Sequence, residues 1–252
     1  MNIHVLNLLQ YKIMNIVIPM AGKGTGFKNW NRDHRCSALP KPLIAINGKS
    51  MITHSVETCG LDGQYIFIIN KDHKQFGVED HLKNIVPDCK LVEAIEPQSG
   101  QATAVLFAEE FINNDEYLVI QNCDHRKEWS KNYDKEADGW LGTQELSGPE
   151  WSYARINNEG WVIETAEKRE ISKNATIGMF AWKRGKDYVK YCKQMVKRNI
   201  RVKNEFYVNP VYNQAIADGL KFKLTPIETY WSFGSPAKVE KYLEYVAGNF
   251  EL

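Results

Sequence analysis

The segment "NIVIPMAGKGTGF", residues Asn15 to Phe27, joins an apolar run directly to a glycine-rich loop. A continuous apolar run is typical of a strand that is buried on both faces, as in a parallel sheet covered by helices. Ligands of open α/β sheets bind just beyond the carboxyl ends of such strands. The loop with Gly22, Gly24 and Gly26 therefore lies where we expect a ligand.

The following residues repeat this alternation of strands and helices. Apolar runs predict three more strands, and amphipathic segments between them predict helices, the first of which has Ser50 as its N-cap. The predicted strands are residues 64–69, 89–95 and 116–122, and the predicted helices are residues 50–59 and 100–112. This order favours a mostly parallel sheet with helices on both faces.

The second half of the sequence is less regular. Trp151 to Glu164 reads as a hairpin that turns at residues 157–160, and residues 175–182 read as a strand. Helices are predicted at residues 186–198 and 235–246, with Ser235 as the N-cap of the last. A helical segment at residues 204–219 is expected to be interrupted by Pro210. We find no linker, so the sequence predicts one domain over residues 14–252.

Charge and hydropathy exclude two classes of partner. Lys and Arg total 32 while Asp and Glu total 31, so the chain lacks the basic field of a general nucleic-acid-binding protein. No apolar run approaches the roughly 18 residues of a membrane span, so we expect no membrane insertion. The five cysteines are scattered, which indicates reduced thiols in a cytoplasmic protein. Residues 1–13 lack signal-peptide features and are interpreted as an N-terminal appendage.

The glycine loop alone is compatible with a phosphate-binding loop and with an ordinary tight turn. Glycines let backbone N–H groups approach phosphate oxygens, and a following helix N-terminus adds a favourable dipole. The spacing does not fit the P-loop pattern G-x-x-x-x-G-K-[ST]. It also differs from the dinucleotide pattern G-x-G-x-x-G, because Gly26 comes one position early. The sequence therefore excludes a P-loop and disfavours a dinucleotide-dependent dehydrogenase.

Two charged residues strengthen the phosphate interpretation. Lys41 lies between Pro40 and Pro42, which restrict the backbone and suit a rigidly aimed cation. Asp124 ends an apolar strand, where a carboxylate is costly to bury unless it is paired or binds a metal. A surface lysine in a proline turn and a hydrogen-bonded structural aspartate are the alternatives.

Taken in order, six segments resemble the nucleotidylyltransferases that activate sugar 1-phosphates and related phosphorylated metabolites. The segments are "MAGKGTGF", "PKPL", "GQATA", "VIQNCD", "AEK" and "NEFYV". The resemblance implies a Rossmann-like, GT-A-like α/β fold and transfer of a nucleoside monophosphate from an NTP, with release of pyrophosphate. It extends to bacterial capsule-locus members, including phosphoglutamine cytidylyltransferases. It thus implies the synthesis of surface polysaccharide precursors in the cytoplasm.

The resemblance also implies a role for each matching residue. Lys41, Asp124 and Lys168 match catalytic positions, and Asp124 would hold Mg²⁺, the implied cofactor. The matching nucleotide-binding positions are Met20, Gly22, Gly24, Lys41, Gly100 and Gln101. The matching acceptor-binding positions are Glu167, Lys168, Gly178 and Glu205. The alternatives to these functional roles are structural: solvated charges at 167 and 168, a strand bulge at 178, a helix cap at 205 and a first-turn residue at 101.

Three positions depart from that family's pattern or are unusual. Gly26 lies where the loop commonly has an arginine, whose charge-assisted bond is worth roughly 1.5–3 kcal/mol. Ser232 lies where many relatives have an aspartate that binds metal, and serine is a poor Mg²⁺ ligand. His125 either contacts an acceptor or caps the strand end. The basic residues available to replace the missing arginine are Lys23, Lys28, Arg32 and Arg35.

Three functions follow from these observations. The first is a Mg²⁺-dependent nucleotidylyltransferase, and the second is a catalytically impaired nucleotide-binding module, which the residues at 26 and 232 favour. A glycosyltransferase is disfavoured, because "CDH" offers one acid where such enzymes use D-x-D. The nucleotide base is open among CTP, dTTP, UTP and GTP. The acceptor is open among sugar phosphates, phosphocholine and a phospho-amino acid, and a homo-oligomer is compatible with the sequence.

Overall fold

Strand β1 (Met14–Pro19) lies inside a nine-stranded mixed sheet in the computed structural model, which describes residues 14–28, 30, 39–95 and 99–248. It pairs in parallel with β4 (Gln64–Asn70) and β6 (Tyr117–Gln121), and β4 pairs in parallel with β5 (Lys90–Ala94). These four parallel strands all come from the first half of the chain, as their continuous apolar runs predict.

The other half of the sheet is mainly antiparallel. Its long strand β11 (Asn174–Trp182) joins β6 to β8 (Gly139–Glu145) and β9 (Ser152–Ile156) by antiparallel pairing. Strand β10 (Val162–Ala166) completes the hairpin with β9, and β12 (Phe222–Pro226) pairs in parallel with β8. β11 therefore connects the two halves into one sheet.

Helices cover both faces of the sheet. They are α1 (Met51–Glu57), α2 (Val78–Ile85), α3 (Gln101–Val105), α4 (Glu109–Ile112), α5 (Gly185–Lys197), α6 (Asn209–Ala217) and α7 (Pro236–Val246). Short 3₁₀ turns occur at Thr25–Phe27, Lys41–Leu43, Lys71–Phe76 and Leu106–Ala108. Along β1, Val17 enters one hydrophobic core and Ile16 and Ile18 enter the other, because successive side chains point to opposite faces.

Two small antiparallel ribbons lie beside the main sheet. One pairs β2 (Ala45–Ile46) with β3 (Lys49–Ser50), and the other pairs β7 (His125–Glu128) with β13 (Thr229–Ser232). The second ribbon begins directly after Asp124, so it connects that residue to the C-terminal part of the chain. A third hydrophobic cluster, which includes Phe27, Met51, Phe233 and Tyr242, packs α7 against this region.

The predicted class, an α/β fold with a mixed, mostly parallel sheet flanked by helices in a single domain, is confirmed. Ser50 accepts a hydrogen bond from Thr53 N as the predicted N-cap. Two predictions were wrong. Pro210 lies in the first turn of α6 and interrupts nothing, since proline fits that position. The helix predicted at residues 100–112 is divided by the 3₁₀ turn at Leu106–Ala108.

Other expectations concern the termini, the thiols and the membrane. The appendage predicted at residues 1–13 lies outside the described residues, as do Arg32, Arg35 and Cys36. The cysteines of the described ranges are free thiols. Among the helices of those ranges, none has the length and apolar character of a membrane span. Ser235 precedes α7 as predicted, but its side chain makes no capping bond.

Candidate active site

The carboxyl ends of β1 and β6 open into a cavity of about 600 Å³. Every nucleotide-binding position predicted from the sequence lines it, together with Asp124 and Glu205. The lining residues are Pro19, Met20, Ala21, Gly22, Lys23, Gly24, Lys41, Pro42, Gly100, Gln101, Ala104, Asn122, Cys123, Asp124, Glu205 and Tyr207. Glu167, Lys168 and Gly178 lie outside this lining.

The glycine loop forms one wall of the cavity. Met20 N donates to Ile68 O at 2.9 Å, which extends the pairing of β1 to the start of the loop. Gly24 has a φ of +59°, and a Cβ at this residue would lie 2.7 Å from Lys41 Cβ. The loop can therefore lie against Lys41 because glycine occupies this position. Lys41 Nζ lies 5.3 Å from the centre of the Phe27 ring.

Lys41 and Asp124 form an ion pair inside the cavity. Their side chains are only 17% and 20% exposed, so the charges interact with little solvent screening. Burial lowers the pKa of Lys41, but the charge and the hydrogen bond of the Asp124 carboxylate outweigh burial and raise it overall. Burial and the neighbouring Asp124 carboxylate raise the pKa of the Cys123 thiol to about 12. The site therefore presents a charged lysine beside a neutral thiol.

Asn122 is a cavity residue that the sequence analysis did not single out. Gln101 Nε2 donates to Asn122 Oδ1, and Asn122 N donates to Gly178 O at 2.9 Å. Ser55 Oγ donates to Asn122 O at 2.6 Å. Gly178 lies directly behind the Asn122 side chain, so it supports a lining residue and does not reach the cavity itself. The sequence did offer one indication of Asn122, because it is a polar residue directly after an apolar strand and two positions before Asp124.

Glu205 and Tyr207 also line the cavity, and two predicted acceptor residues outside the lining, Glu167 and Lys168, lie next to Tyr207. Lys168 Nζ donates to Tyr207 Oη at 2.8 Å and lies 4.6 Å from the centre of the Tyr207 ring. Burial raises the pKa of Glu167, although Ser152 and Lys168 oppose the rise. Burial, and then Glu205, raise the pKa of Tyr207. These contacts place Lys168 and both acids around one tyrosine.

The backbone of Lys168 is strained. Its φ of +53° lies in the left-handed region, which residues with a side chain rarely adopt. Such conformations persist where the surrounding structure holds them, and they concentrate at functional sites. The strained backbone favours a binding role for Lys168 over a freely solvated charge.

A second lysine, Lys127, is buried behind the site. It is 1% exposed, and its Nζ donates to Gln121 Oε1 at 2.6 Å and lies 3.1 Å from His125 Nε2. Burial lowers the pKa of Lys127 to about 8. His125 is fully buried, and burial followed by the Lys127 charge lowers its pKa. Of the two roles left open for His125, the buried position is compatible only with a structural one.

Lys127 should make stability depend on pH. Its folded pKa of about 8 lies below the usual 10.5, so above pH 8 the native state releases a proton that the unfolded chain keeps. Between about pH 7.5 and 9.5, the free energy of unfolding of the wild type should therefore rise by about 1–2 kcal/mol relative to that of Lys127→Met. Urea unfolding of both proteins at each pH measures this gain. A difference independent of pH would contradict the assignment.

The segment after β13 approaches Asp124 from the other side. Phe233 N donates to Asp124 O at 2.7 Å, and Ser232 lies opposite His125 in the ribbon register. Ser232 Oγ accepts a hydrogen bond from Gly234 N at 3.1 Å. The segment thus holds the main chain of Asp124 and adds no carboxylate beside it.

Among the residues that line the cavity, Asp124 offers a carboxylate that suits Mg²⁺. Asp124 offers a partly exposed carboxylate on the cavity wall, and its described side-chain partner is Lys41. In the described ranges, no group of three or more His, Cys, Asp or Glu side chains converges on one point. Mg²⁺ is commonly held by one or two carboxylates, with waters and substrate phosphates completing its shell. Asp124 suits that role.

Sequence comparison finds relatives over most of the chain. The family model described as Nucleotidyl transferase matches residues 36–206. The bifunctional protein GlmU of Methanocaldococcus jannaschii is 28% identical over 241 residues, which are 91% of this chain and 54% of that protein. The GlmU protein of Thermotoga sp. strain RQ2 is 28% identical over 216 residues, 80% of this chain and 44% of that one. This chain spans about half the length of these curated relatives.

Solved structures share the fold. A nucleoside-diphosphate-sugar pyrophosphorylase from Vibrio cholerae RC9 superimposes with a TM-score of 0.76 at 23% identity, covering 91% of this chain and 99% of that one. The inositol-1-phosphate CTP transferase from T. maritima gives a TM-score of 0.72 at 15% identity, with coverages of 94% and 96%. At these identities the likeness establishes the architecture.

Proposed function

Because the chain belongs to the nucleotidyl transferase family, we propose that it transfers a nucleoside monophosphate from an NTP to a phosphorylated small molecule, releasing pyrophosphate. The observation that carries this proposal is the gathering of the glycine loop, Lys41 and Asp124 in one cavity of about 600 Å³. A phosphate monoester is already an anionic nucleophile, so the reaction needs no general base. Two anions must be brought together, which requires positioning and charge neutralisation.

Different residues provide the positioning and the charge neutralisation. Backbone N–H groups around Gly22 and Gly24 bind the NTP phosphates, and Lys41 neutralises them when it exchanges the Asp124 carboxylate for phosphate oxygens. Lys168, held by Tyr207, binds the acceptor's phosphate. Asp124 is the residue that would hold Mg²⁺, and the bound ion would supply positive charge to the phosphate oxygens.

For the acceptor we propose a sugar 1-phosphate or a phosphorylated amine or amino acid. Glu205 lines the cavity and Glu167 lies near it, and in this proposal their carboxylates accept hydrogen bonds from hydroxyl or ammonium groups of the acceptor. Two of the structural relatives are named for a nucleoside-diphosphate sugar and for inositol 1-phosphate with CTP, which supports the sugar-phosphate part of this proposal. We further propose cytoplasmic synthesis of precursors for a surface polysaccharide such as a capsule.

Pyrophosphate release with Mg²⁺ tests the proposal. CTP, UTP, dTTP and GTP are each combined with a panel of sugar 1-phosphates, inositol 1-phosphate, phosphocholine and phosphoglutamine. We expect one pair to release pyrophosphate far faster than either substrate alone. No release from folded protein that binds NTP by calorimetry would favour the other candidate, a catalytically impaired nucleotide-binding module. Gly26 and Ser232 are the residues that motivate that alternative.

Gly26→Arg should accelerate the reaction. A Cβ at this position meets nothing within 4 Å and residue 26 is exposed, so a side chain can start there without a clash. A guanidinium there would add a charge-assisted bond to the NTP phosphates, and we expect kcat/KM to rise about 10- to 100-fold. Gly26→Ala is the control, because it adds the Cβ without a charge and should leave kcat/KM unchanged. Equal rates for the two variants would contradict a phosphate-binding role for this position.

A further inference from the structure

A chain of buried hydrogen bonds runs from α1 to the end of β6, where the cavity begins. Ser55 lies in α1, Gln121 is the last residue of β6, and both are fully buried. Gln121 Nε2 donates to Ser55 O at 2.7 Å and to Ser55 Oγ at 2.8 Å, and Lys127 Nζ donates to Gln121 Oε1 at 2.6 Å. The chain ends at Asn122, whose carbonyl oxygen accepts from Ser55 Oγ at 2.6 Å.

The buried ammonium of Lys127 sets the direction of every bond in this chain. An ammonium has donors only, so Gln121 must turn its oxygen to Lys127 and its N–H groups to Ser55. The Ser55 hydroxyl must then accept from Gln121, which leaves its single proton for Asn122 O. With the amide reversed, the Ser55 proton would point back to Gln121, and Asn122 O would lose its donor.

This arrangement is unfavourable for folding alone. Lys127 is 1% exposed, and the described residues place no carboxylate against its ammonium. A buried charge without a counter-ion destabilises a protein, and an apolar side chain of similar length would avoid that destabilisation. A role for Lys127 is therefore to be expected where its chain of hydrogen bonds ends, at the cavity wall.

Three contacts hold Asn122 in the cavity wall. Its carbonyl oxygen accepts from Ser55 Oγ, its N–H donates to Gly178 O at 2.9 Å, and its Oδ1 accepts from Gln101 Nε2. Asn122 and Gln101 both line the cavity, and Asp124 follows two positions after Asn122. The bond to the carbonyl oxygen fixes the peptide that leads from β6 toward Asp124, so it restricts the main chain on which both residues depend.

We propose that Ser55 is a positioning residue, whose hydroxyl fixes the main chain that carries Asn122 and Asp124 into the cavity. Gln121 and Lys127 direct that hydroxyl. This inference rests on the proposed function and extends it to three buried residues that are absent from the cavity lining. A displacement of about 1 Å at groups that hold the reacting atoms can lower a rate about 100-fold.

Ser55→Ala tests this assignment against Ser172→Ala. Each substitution removes one donated and one accepted hydrogen bond, because Ser172 Oγ donates to Ala154 O at 2.7 Å and accepts from Asn174 N at 3.1 Å. Ser172 is absent from the cavity lining. With a productive substrate pair, Ser55→Ala should lower kcat about tenfold and change KM by less than about twofold, whereas Ser172→Ala should change neither. Equal losses of kcat in the two variants would overturn the inference.

Gln121→Glu tests the direction of the chain. It keeps the size of the side chain and its contact with Lys127, but it faces Ser55 with an oxygen in place of N–H groups. The Ser55 proton should then turn to the glutamate and leave Asn122 O, so kcat should fall as in Ser55→Ala. The double variant should lose no more kcat than either single variant, because all of them break the same link. Losses that add would overturn the inference, and urea unfolding establishes conditions in which every variant is folded.

A second measurement does not depend on turnover. Amide hydrogen exchange is followed at Asn122 N and at Phe233 N, which donates to Asp124 O. Ser55→Ala should exchange both amides at least about tenfold faster than the wild type, while Ser172→Ala should leave them unchanged. If substrates react and Ser55→Ala keeps full kcat, the inference is overturned while the proposed function stands. If no substrate pair reacts, faster exchange in Ser55→Ala alone supports the inference, and unchanged exchange overturns it in either case.

Discussion

Asp124→Ala is expected to reduce pyrophosphate release by about 10³-fold or more and, at the same time, to strengthen metal-free binding of inorganic triphosphate. The loss follows because Asp124 is the carboxylate positioned to hold Mg²⁺ among the phosphates. The gain follows because the substitution releases Lys41 from its ion pair. Lys41 can then meet a phosphate without first giving up a carboxylate partner.

The two effects are measured separately. A coupled pyrophosphate assay reports turnover, and calorimetry in excess EDTA reports triphosphate binding. Asp124→Asn keeps the side-chain shape without the charge and should behave like the alanine variant. Asp88→Ala, at an exposed position, should change neither quantity. Unreduced turnover in Asp124→Ala would refute the assigned role of this aspartate, and weaker triphosphate binding would refute the inhibitory role of the ion pair.

Gly100→Ala is expected to destabilise the protein by about 3–4 kcal/mol. Gly100 has a φ of +123°, and a Cβ there would lie 2.5 Å from both Phe206 N and Phe206 O. Those two atoms are hydrogen-bonded on either side of the glycine: Phe206 N donates to Ser99 O at 2.8 Å, and Ala102 N donates to Phe206 O at 2.9 Å. A methyl group must therefore separate the two segments and weaken both bonds.

The same substitution should lower activity, because Gln101 and Glu205 line the cavity from these two segments. We expect a loss of at least about tenfold in kcat/KM even where the variant is folded. Gly219→Ala is the matched control: its φ is +93°, but a Cβ there meets nothing within 4 Å, so only backbone strain of about 1–2 kcal/mol is expected. Urea unfolding and pyrophosphate release distinguish the variants, and equal destabilisation would contradict the role of the contact with Phe206.

The N-terminal half of the fold could be predicted because its strands are buried on both faces and read as continuous apolar runs. The ribbon of β7 and β13 was missed for the opposite reason. Its strand "HRKE" looks like exposed sequence, yet His125 and Lys127 are buried there by long-range packing that no local pattern records. Pro210 was misinterpreted for a local reason, because it lies in the first turn of α6, where proline fits without interrupting the helix.

The candidate site was predictable where a residue's neighbours in sequence restrict its position. Lys41 lies between two prolines, and Asp124 follows an apolar strand, so each could be selected as a candidate from the sequence, whereas their ion pair is seen only in the structure. Asn122 could not be found this way, because its place in the cavity wall depends on contact with Gln101, which is remote in sequence. The roles of Lys168, Glu167 and Glu205 remain predictions, and the placement of Lys168 on Tyr207 supports them.

The hydrogen bond between Phe233 and Asp124 has a consequence for how the protein is made. Synthesis on the ribosome proceeds from the N-terminus. The parallel strands and the glycine loop therefore emerge before the segment whose Phe233 N binds Asp124 O. A nascent chain then carries a half-built site whose aspartate has no main-chain anchor. Asp124 therefore gains this hydrogen bond only after the segment that follows β13 has been synthesised.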